Sequence, residues 1–187
     1  MFPGGERIVD QRIMEHISLP ICQFRLPRYE EIPTVGLYLE QVTKYIGDYL
    51  SPLSGVEITS SMISNYVKKK LVSNPVRKQY SRDQIAYLMF VAVVKTVVSM
   101  EDIRLMISIQ QKTYSAQRAY DYFCLELENV LQFVFDRKNA LDVVGVDSTD
   151  EKVMLRNTII TVAHKVYLNA LLAELREEQQ MKENKNA

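Results

Sequence analysis

From Gly36 to Tyr49 the apolar residues Leu39, Val42, Tyr45, Ile46 and Tyr49 recur at intervals of three and four. That repeat lines one face of an α-helix and predicts a helix here. Ser51-Pro52 to Gly55 reads as a loop. Thr59 or Ser60 can then accept a bond from an otherwise unpaired backbone N–H and start a second helix. Its buried stripe is Ile63, Tyr66, Val67 and Leu71, and it ends near Lys70. Leu71–Tyr80 is too short for a helix and contains Pro75, so a small hairpin is predicted, with Arg77 and Lys78 on its return strand. Ser81 and Gln84 have the spacing of a capping box. The helix they start is the central core helix, marked by Ile85, Leu88, Met89, Ala92, Val93 and Thr96. Ser99 with Asp102 caps a further short helix filled by Ile103, Met106 and Ile107.

The C-terminal third has longer repeats. Between Thr113 and Asp136, Tyr120, Phe123, Leu127, Val130 and Val134 form a heptad-like seam. That seam can pack on a later helix of the same chain or on a second copy. Tyr114, Tyr122, Phe133 and Phe135 lie outside the stripe, more aromatic surface than one partner helix covers, which favours a homodimer through the seam. Gly145 and Asp147 sit in a loop, and Ser148 with Glu151 repeats the capping-box spacing. The long helix after it carries Val153, Ile160, Ala163, Val166, Tyr167, Ala170, Leu171 and Leu175 to about Gln180, with a flexible polar tail over 182–187. Before Gly36, Pro3, Pro20, Pro27 and Pro33 interrupt the chain, leaving room for a short helix over Asp10–Ile17. Leu26, Tyr29 and Ile32 are placed to pin this arm, residues 1–35, onto the helical unit that begins at Gly36.

Charge changes this picture locally. Lysines plus arginines and aspartates plus glutamates number 23 each, yet residues 36–112 hold ten bases against six acids and residues 113–187 nine against twelve. Asn65 to Arg82 contains Lys68, Lys69, Lys70, Arg77, Lys78 and Arg82 and no acid. Helix, basic turn, helix is the pattern of a winged helix-turn-helix and makes double-stranded DNA the expected partner. Ser61, Ser64 and Asn65 fall on the polar side of the second helix. They suit base reading, since Asn can pair with adenine and Ser with either strand, and equally suit a plain solvated face. The lysine run alone is also what a helix C-terminus attracts.

Other chemistry has little support. Cys22 and Cys124 are far apart and form no metal-ligand spacing, and read as free thiols of a reducing cytoplasm. His16 and His164 are isolated. Asp147, Asp150 and Glu151 lack the oxygen-rich spacing of a calcium loop, and capping accounts for them. No phosphate loop, nucleophile elbow or zinc-protease helix is present, so no enzyme, cofactor or metal is expected. The charged first twenty residues are unlike a signal peptide. The longest apolar run, Ile85 to Val94, is well short of the roughly 20 residues that span a bilayer.

Residues 58–110 resemble the DNA-binding domain of MerR-type regulators. The resemblance lies in Tyr80-Ser81-Arg82-Asp83-Gln84-Ile85, in Ser99-Met100-Glu101-Asp102-Ile103-Arg104-Leu105 and, more loosely, in Asn65 to Val72. Arg28-Tyr29, Leu37-Tyr38-Leu39-x-Gln41-Val42, Ile58-Thr59-x-x-Met62-Ile63-x-Asn65-Tyr66-Val67-Lys68 and Lys78-x-Tyr80-Ser81 resemble a bacterial family known as domain of unknown function 1836, itself MerR-like. That likeness covers about residues 25–135. It implies a mostly α fold: a MerR-like winged helix-turn-helix at 36–111 and a helical C-terminal unit of long amphipathic helices at 112–181. Under it, Tyr66 and Tyr80 pack in the core. The MerR pattern has Arg where this chain has Ser64 and Gly where it has Lys70, and its wing is longer. The function implied is a dimeric DNA-binding transcriptional regulator, its small-molecule effector unknown. The alternative is a protein-interaction module on the same scaffold, since fold does not fix function.

Overall fold

The computed structural model describes residues 10–144 and 149–186. Among them are seven α-helices: α1 (Gln11–Cys22), α2 (Leu39–Leu50), α3 (Ser60–Lys68), α4 (Arg82–Val94), α5 (Met100–Thr113), α6 (Ala116–Val134) and α7 (Asp150–Asn186). A 3-10 turn spans Tyr29–Glu31, and two short strands, β1 (Leu37–Tyr38) and β2 (Gln79–Tyr80), pair antiparallel, Leu37 opposite Tyr80 and Tyr38 opposite Gln79.

The core is built around α4. From Gln84 to Val94 every residue but Tyr87 and Phe90 is buried, and a helix apolar on all sides has to be enclosed by others. Its start is fixed by the expected box: Ser81 Oγ accepts from Gln84 N, and Gln84 Oε1 accepts from Ser81 N at 2.8 Å. The Gln84 amide nitrogen also donates to the Ser73 and Asn74 carbonyls at 2.8 and 3.1 Å. One side chain therefore caps α4 and holds the base of the preceding hairpin. Ser99 accepts from Asp102 N at 3.1 Å at the start of α5, and Ser115 does the same for α6 with Arg118 N.

The seam on α6 turns inward. Tyr120, Phe123, Leu127 and Val130 are no more than 4% exposed, and Val134 packs against the same core as α4 and the α7 residues Ile159, Val162, Ala163 and Val166. These five residues are thus not a dimer face. Of the surplus aromatics, Phe135 is buried and packs edge-on to Tyr167 of α7 with ring centroids 5.3 Å apart, whereas Phe133 is 41% exposed. The expectation failed because it counted one partner helix where the fold supplies several.

The arm is longer and better anchored than the prolines suggest. Asp10 caps α1 by accepting from Arg12 N at 2.9 Å. Ile13, Ile17 and Ile21 then bury a stripe, carrying the helix past Ile17 and through Pro20. Arg28 forks onto Glu128 of α6 at 2.7 and 2.6 Å, and the same carboxylate accepts from Leu26 N. Tyr29 N donates to Asp121 at 2.8 Å. Leu26 and Ile32 are buried beneath these links. His16, isolated in sequence, lies 2.7 Å from Glu174 of α7. At the other end α7 continues to Asn186, beyond the expected stop near Gln180. Its predicted cap Ser148, like Gly145 and Asp147, lies outside the described residues. Thr149 Oγ1 accepts from Lys152 N instead. No helix among the described residues is long and apolar enough to cross a membrane.

Candidate nucleic-acid interface

The basic surface starts at α3. Thr59 caps this helix by accepting from Met62 N at 3.2 Å. Ile63 and Tyr66 point inward with 0% and 1% exposure. Ser61, Ser64, Asn65 and Lys68 are exposed, and their spacing of three, four and seven puts them on one outward face. Two of these polar groups are engaged locally. Ser64 Oγ donates to the Ser60 carbonyl at 2.9 Å, and Ser61 Oγ lies 3.0 Å from Thr59 Oγ1. The Asn65 side chain has no such bond among the described residues, which leaves its amide unengaged.

The helix ends in a way that exposes more charge. Lys69 N bonds to Asn65 O, Lys70 N to Val67 O at 2.9 Å, and Leu71 N to Tyr66 O at 3.0 Å. These are the paired bonds of a Schellman motif, with buried Leu71 as its hydrophobic contact. The motif places Lys70 at φ 58°, where glycine is the usual occupant. Lys70 thus accepts the left-handed conformation rather than altering the stop. Arg104 of α5 donates to the Lys69 carbonyl, one of those a helix end leaves unpaired. The Ser-Met-Glu-Asp-Ile-Arg stretch signals a helix start in sequence but gives no hint of this link.

The hairpin between α3 and α4 is tighter than expected. Val76 and Gln79 exchange both backbone bonds, at 3.1 and 2.9 Å, so Arg77 and Lys78 form the two-residue turn itself and do not lie on a return strand. Their φ angles are 49° and 64°, as a type I′ turn requires. Asn-Gly is the usual choice there. Both side chains project into solvent at the tip. Behind them Gly36 passes so close that a Cβ would stand 2.8 Å from Gln79 Cβ. A side chain at this position would push β1 away from β2.

Arg82 departs from the expected cation set. Its guanidinium donates to Glu30 Oε2 at 2.6 Å and to the Ile32 carbonyl at 2.9 Å, and stacks 5.3 Å from the Tyr29 ring centroid. It holds the arm to α4 and is not available to a phosphate. Lys68, Lys69, Lys70, Arg77 and Lys78 are exposed, and none of them is ion-paired among the described residues.

Two further groups stand close behind α3. The Tyr66 hydroxyl is buried without a partner, and burial pushes its pKa up to about 12. Lys95 lies 5.7 Å from the Tyr66 ring centroid, and burial lowers its pKa, partly opposed by Glu57. Both belong to the support of the helix. Elsewhere Cys124 is buried, its thiol pushed up to about 12, and Cys22 is half-buried, with no disulfide between them. His164 is exposed. No group of three or more metal-ligating residues occurs among the described residues.

Residues 27–123 match a domain of unknown function, DUF1836. The chain belongs to the DUF1836 family. The matched span takes in the arm's anchor at Arg28, α2 to α5, the hairpin and the first part of α6; α1 and α7 lie outside it. Every residue of the basic surface falls within the DUF1836 span. No curated protein and no solved structure matches the chain.

Proposed function

We propose that the protein is a DNA-binding transcriptional regulator whose α2–α3–hairpin–α4 segment works as a MerR-like winged helix-turn-helix. The observation that carries this reading is the run of five exposed, unpaired cations on α3 and the hairpin tip. In this mechanism α3 enters a major groove, Asn65 reads a base edge, and Arg77 and Lys78 grip neighbouring phosphates. Lys68, Lys69 and Lys70 add phosphate contacts where α3 ends. Ser61 and Ser64, engaged within the helix, contribute mainly by letting the backbone approach. Replacing Lys68, Lys69, Arg77 and Lys78 together by Ala should weaken binding to all duplexes in a gel-shift assay. Unchanged mobility shifts would reject this surface.

A dimeric regulator needs a face other than the α6 seam. Along α7, Leu168, Leu172 and Leu175 are 53%, 45% and 39% exposed on one stripe. This stripe is also the observation that favours the second reading, a module that holds another protein. Sedimentation of wild type and Leu172→Glu separates the cases. A concentration-dependent dimer lost in the variant supports the two-fold regulator, and a monomer throughout leaves the stripe to a different partner.

A further inference from the structure

A cavity of about 540 Å³ opens between α4, α5, α6 and the start of α7. It lies away from the outward face of α3 and has no part in the proposed DNA contact. Its size is within the roughly 300–1,000 Å³ typical of small-molecule sites. The walls are mostly apolar and aromatic: Tyr87 and Phe90 from α4, Met106 and Ile107 from α5, Phe123 from α6 and Leu155 from α7. A fixed polar group faces it. Gln110 accepts from the Tyr87 hydroxyl at 3.0 Å and donates to the Tyr114 carbonyl at 2.7 Å. Its amide is therefore engaged within the chain on both its oxygen and its nitrogen.

The charges around the cavity are unequally committed. Asp121 accepts from the Tyr29 backbone N–H at 2.8 Å, and Glu151 from the Thr113 hydroxyl at 2.8 Å. Arg118, by contrast, stands with its guanidinium 5.3 Å from the Tyr114 ring centroid and has no carboxylate partner among the described residues. Lys152, the other cation of the lining, stands 5.1 Å from the Tyr122 ring centroid and is engaged within the chain. A ligand arriving here meets an apolar slot with both acids engaged and, at its exposed rim, the Arg118 guanidinium open to an anion.

We infer that this cavity binds a small carboxylate with a flat or extended apolar body, the body between α4, α5 and α6 and the carboxylate on Arg118. Guanidinium and carboxylate form the strong charge-assisted pair, and the buried body supplies most of the affinity. The site also touches the basic surface indirectly, because α5 is one of its walls and carries Arg104, which bonds to the end of α3. That consequence rests on the DNA-binding reading; ligand binding does not.

The test uses the full chain without DNA and three probes: 2-naphthoate, decanoate and the neutral 2-naphthamide. With methyl-labelled methionines, 2-naphthoate should shift the Met106 and Met154 signals saturably, since both residues line the cavity. Those of Met62 and Met181 should stay in place. Arg118→Gln should weaken 2-naphthoate about fivefold, the upper range for an ion pair to an exposed arginine, and leave 2-naphthamide unchanged. Ala119→Phe, which fills the cavity, should abolish the shifts for all three. No saturable shift of Met106 or Met154 by any probe at millimolar concentration would overturn the inference. So would equal loss of 2-naphthoate and 2-naphthamide in Arg118→Gln. The methionine signals of wild type decide the matter even if Ala119→Phe does not fold, and a negative result leaves the DNA reading untouched.

Discussion

At φ 58° Lys70 holds a backbone conformation that costs a residue with a Cβ roughly 1–2 kcal/mol. Glycine would remove that cost and lose some of the gain to its larger unfolded-state entropy. Lys70→Gly should therefore stabilise the fold by about 1 kcal/mol, read as a higher urea midpoint at unchanged slope. A lower midpoint would mean that the lysine side chain supports the helix end. The variant also removes one cation, so stability and DNA affinity should move in opposite directions. Tyr66 gives a second single-residue case. Its buried hydroxyl has no partner, and burying such a group without one is unfavourable. Tyr66→Phe should leave stability unchanged or slightly higher. Glu126 is fully buried beside Arg156, with Nε to Oε1 at 2.9 Å, and burial raises its pKa above the usual 4.5 despite that cation. The sign comes from proton counts: the folded state keeps the proton to higher pH, so stability falls as pH climbs from about 4.5 through the folded value. Glu126→Gln should flatten that decline in pH-dependent thermal unfolding. A decline of the same size in the variant would place its origin in another group.

The elements are legible where a local rule governs them. The caps at Thr59, Ser81 and Ser99 and the apolar stripes of α2 and α3 each come from a spacing that backbone geometry imposes, and they occur where that spacing puts them. What spacing cannot give is the identity of a partner. The stripe on α6 has the same period whether it meets α7 of its own chain or a second copy, and the structure buries it within the chain. The turn at Arg77-Lys78 is illegible for a related reason: neither residue is a usual left-handed occupant, so nothing local marks the tip. Arg82 reads as part of the basic run because its neighbours in sequence are cations, whereas its contacts are Glu30 and Ile32, some fifty residues away. The cavity leaves no trace in the sequence because its walls come from four helices. Burial of the α6 seam has a measurable consequence. Leu127 is 0% exposed, so Leu127→Ala should cost about 2–5 kcal/mol, with no dependence on protein concentration. A loss in the variant that grew on dilution, relative to wild type at the same concentration, would return the seam to an interface between copies.

For the whole molecule the formal charge is zero, so net charge does not draw it to nucleic acid, and DNA affinity has to come from the local surface. The five exposed cations of α3 and the hairpin set an upper limit on the counterions released. Fluorescence anisotropy with a labelled random duplex, titrated from low to moderate salt, tests this claim most directly. Binding should be present at low salt and fall with a log–log slope no steeper than about −4.5 for each bound copy of the chain, the value for five phosphate contacts. Replacing Arg77 and Lys78 by Ala should lower the slope by about 2 in magnitude. Absence of binding at low salt, or a slope that the double replacement leaves unchanged, would contradict the assignment of this surface to DNA.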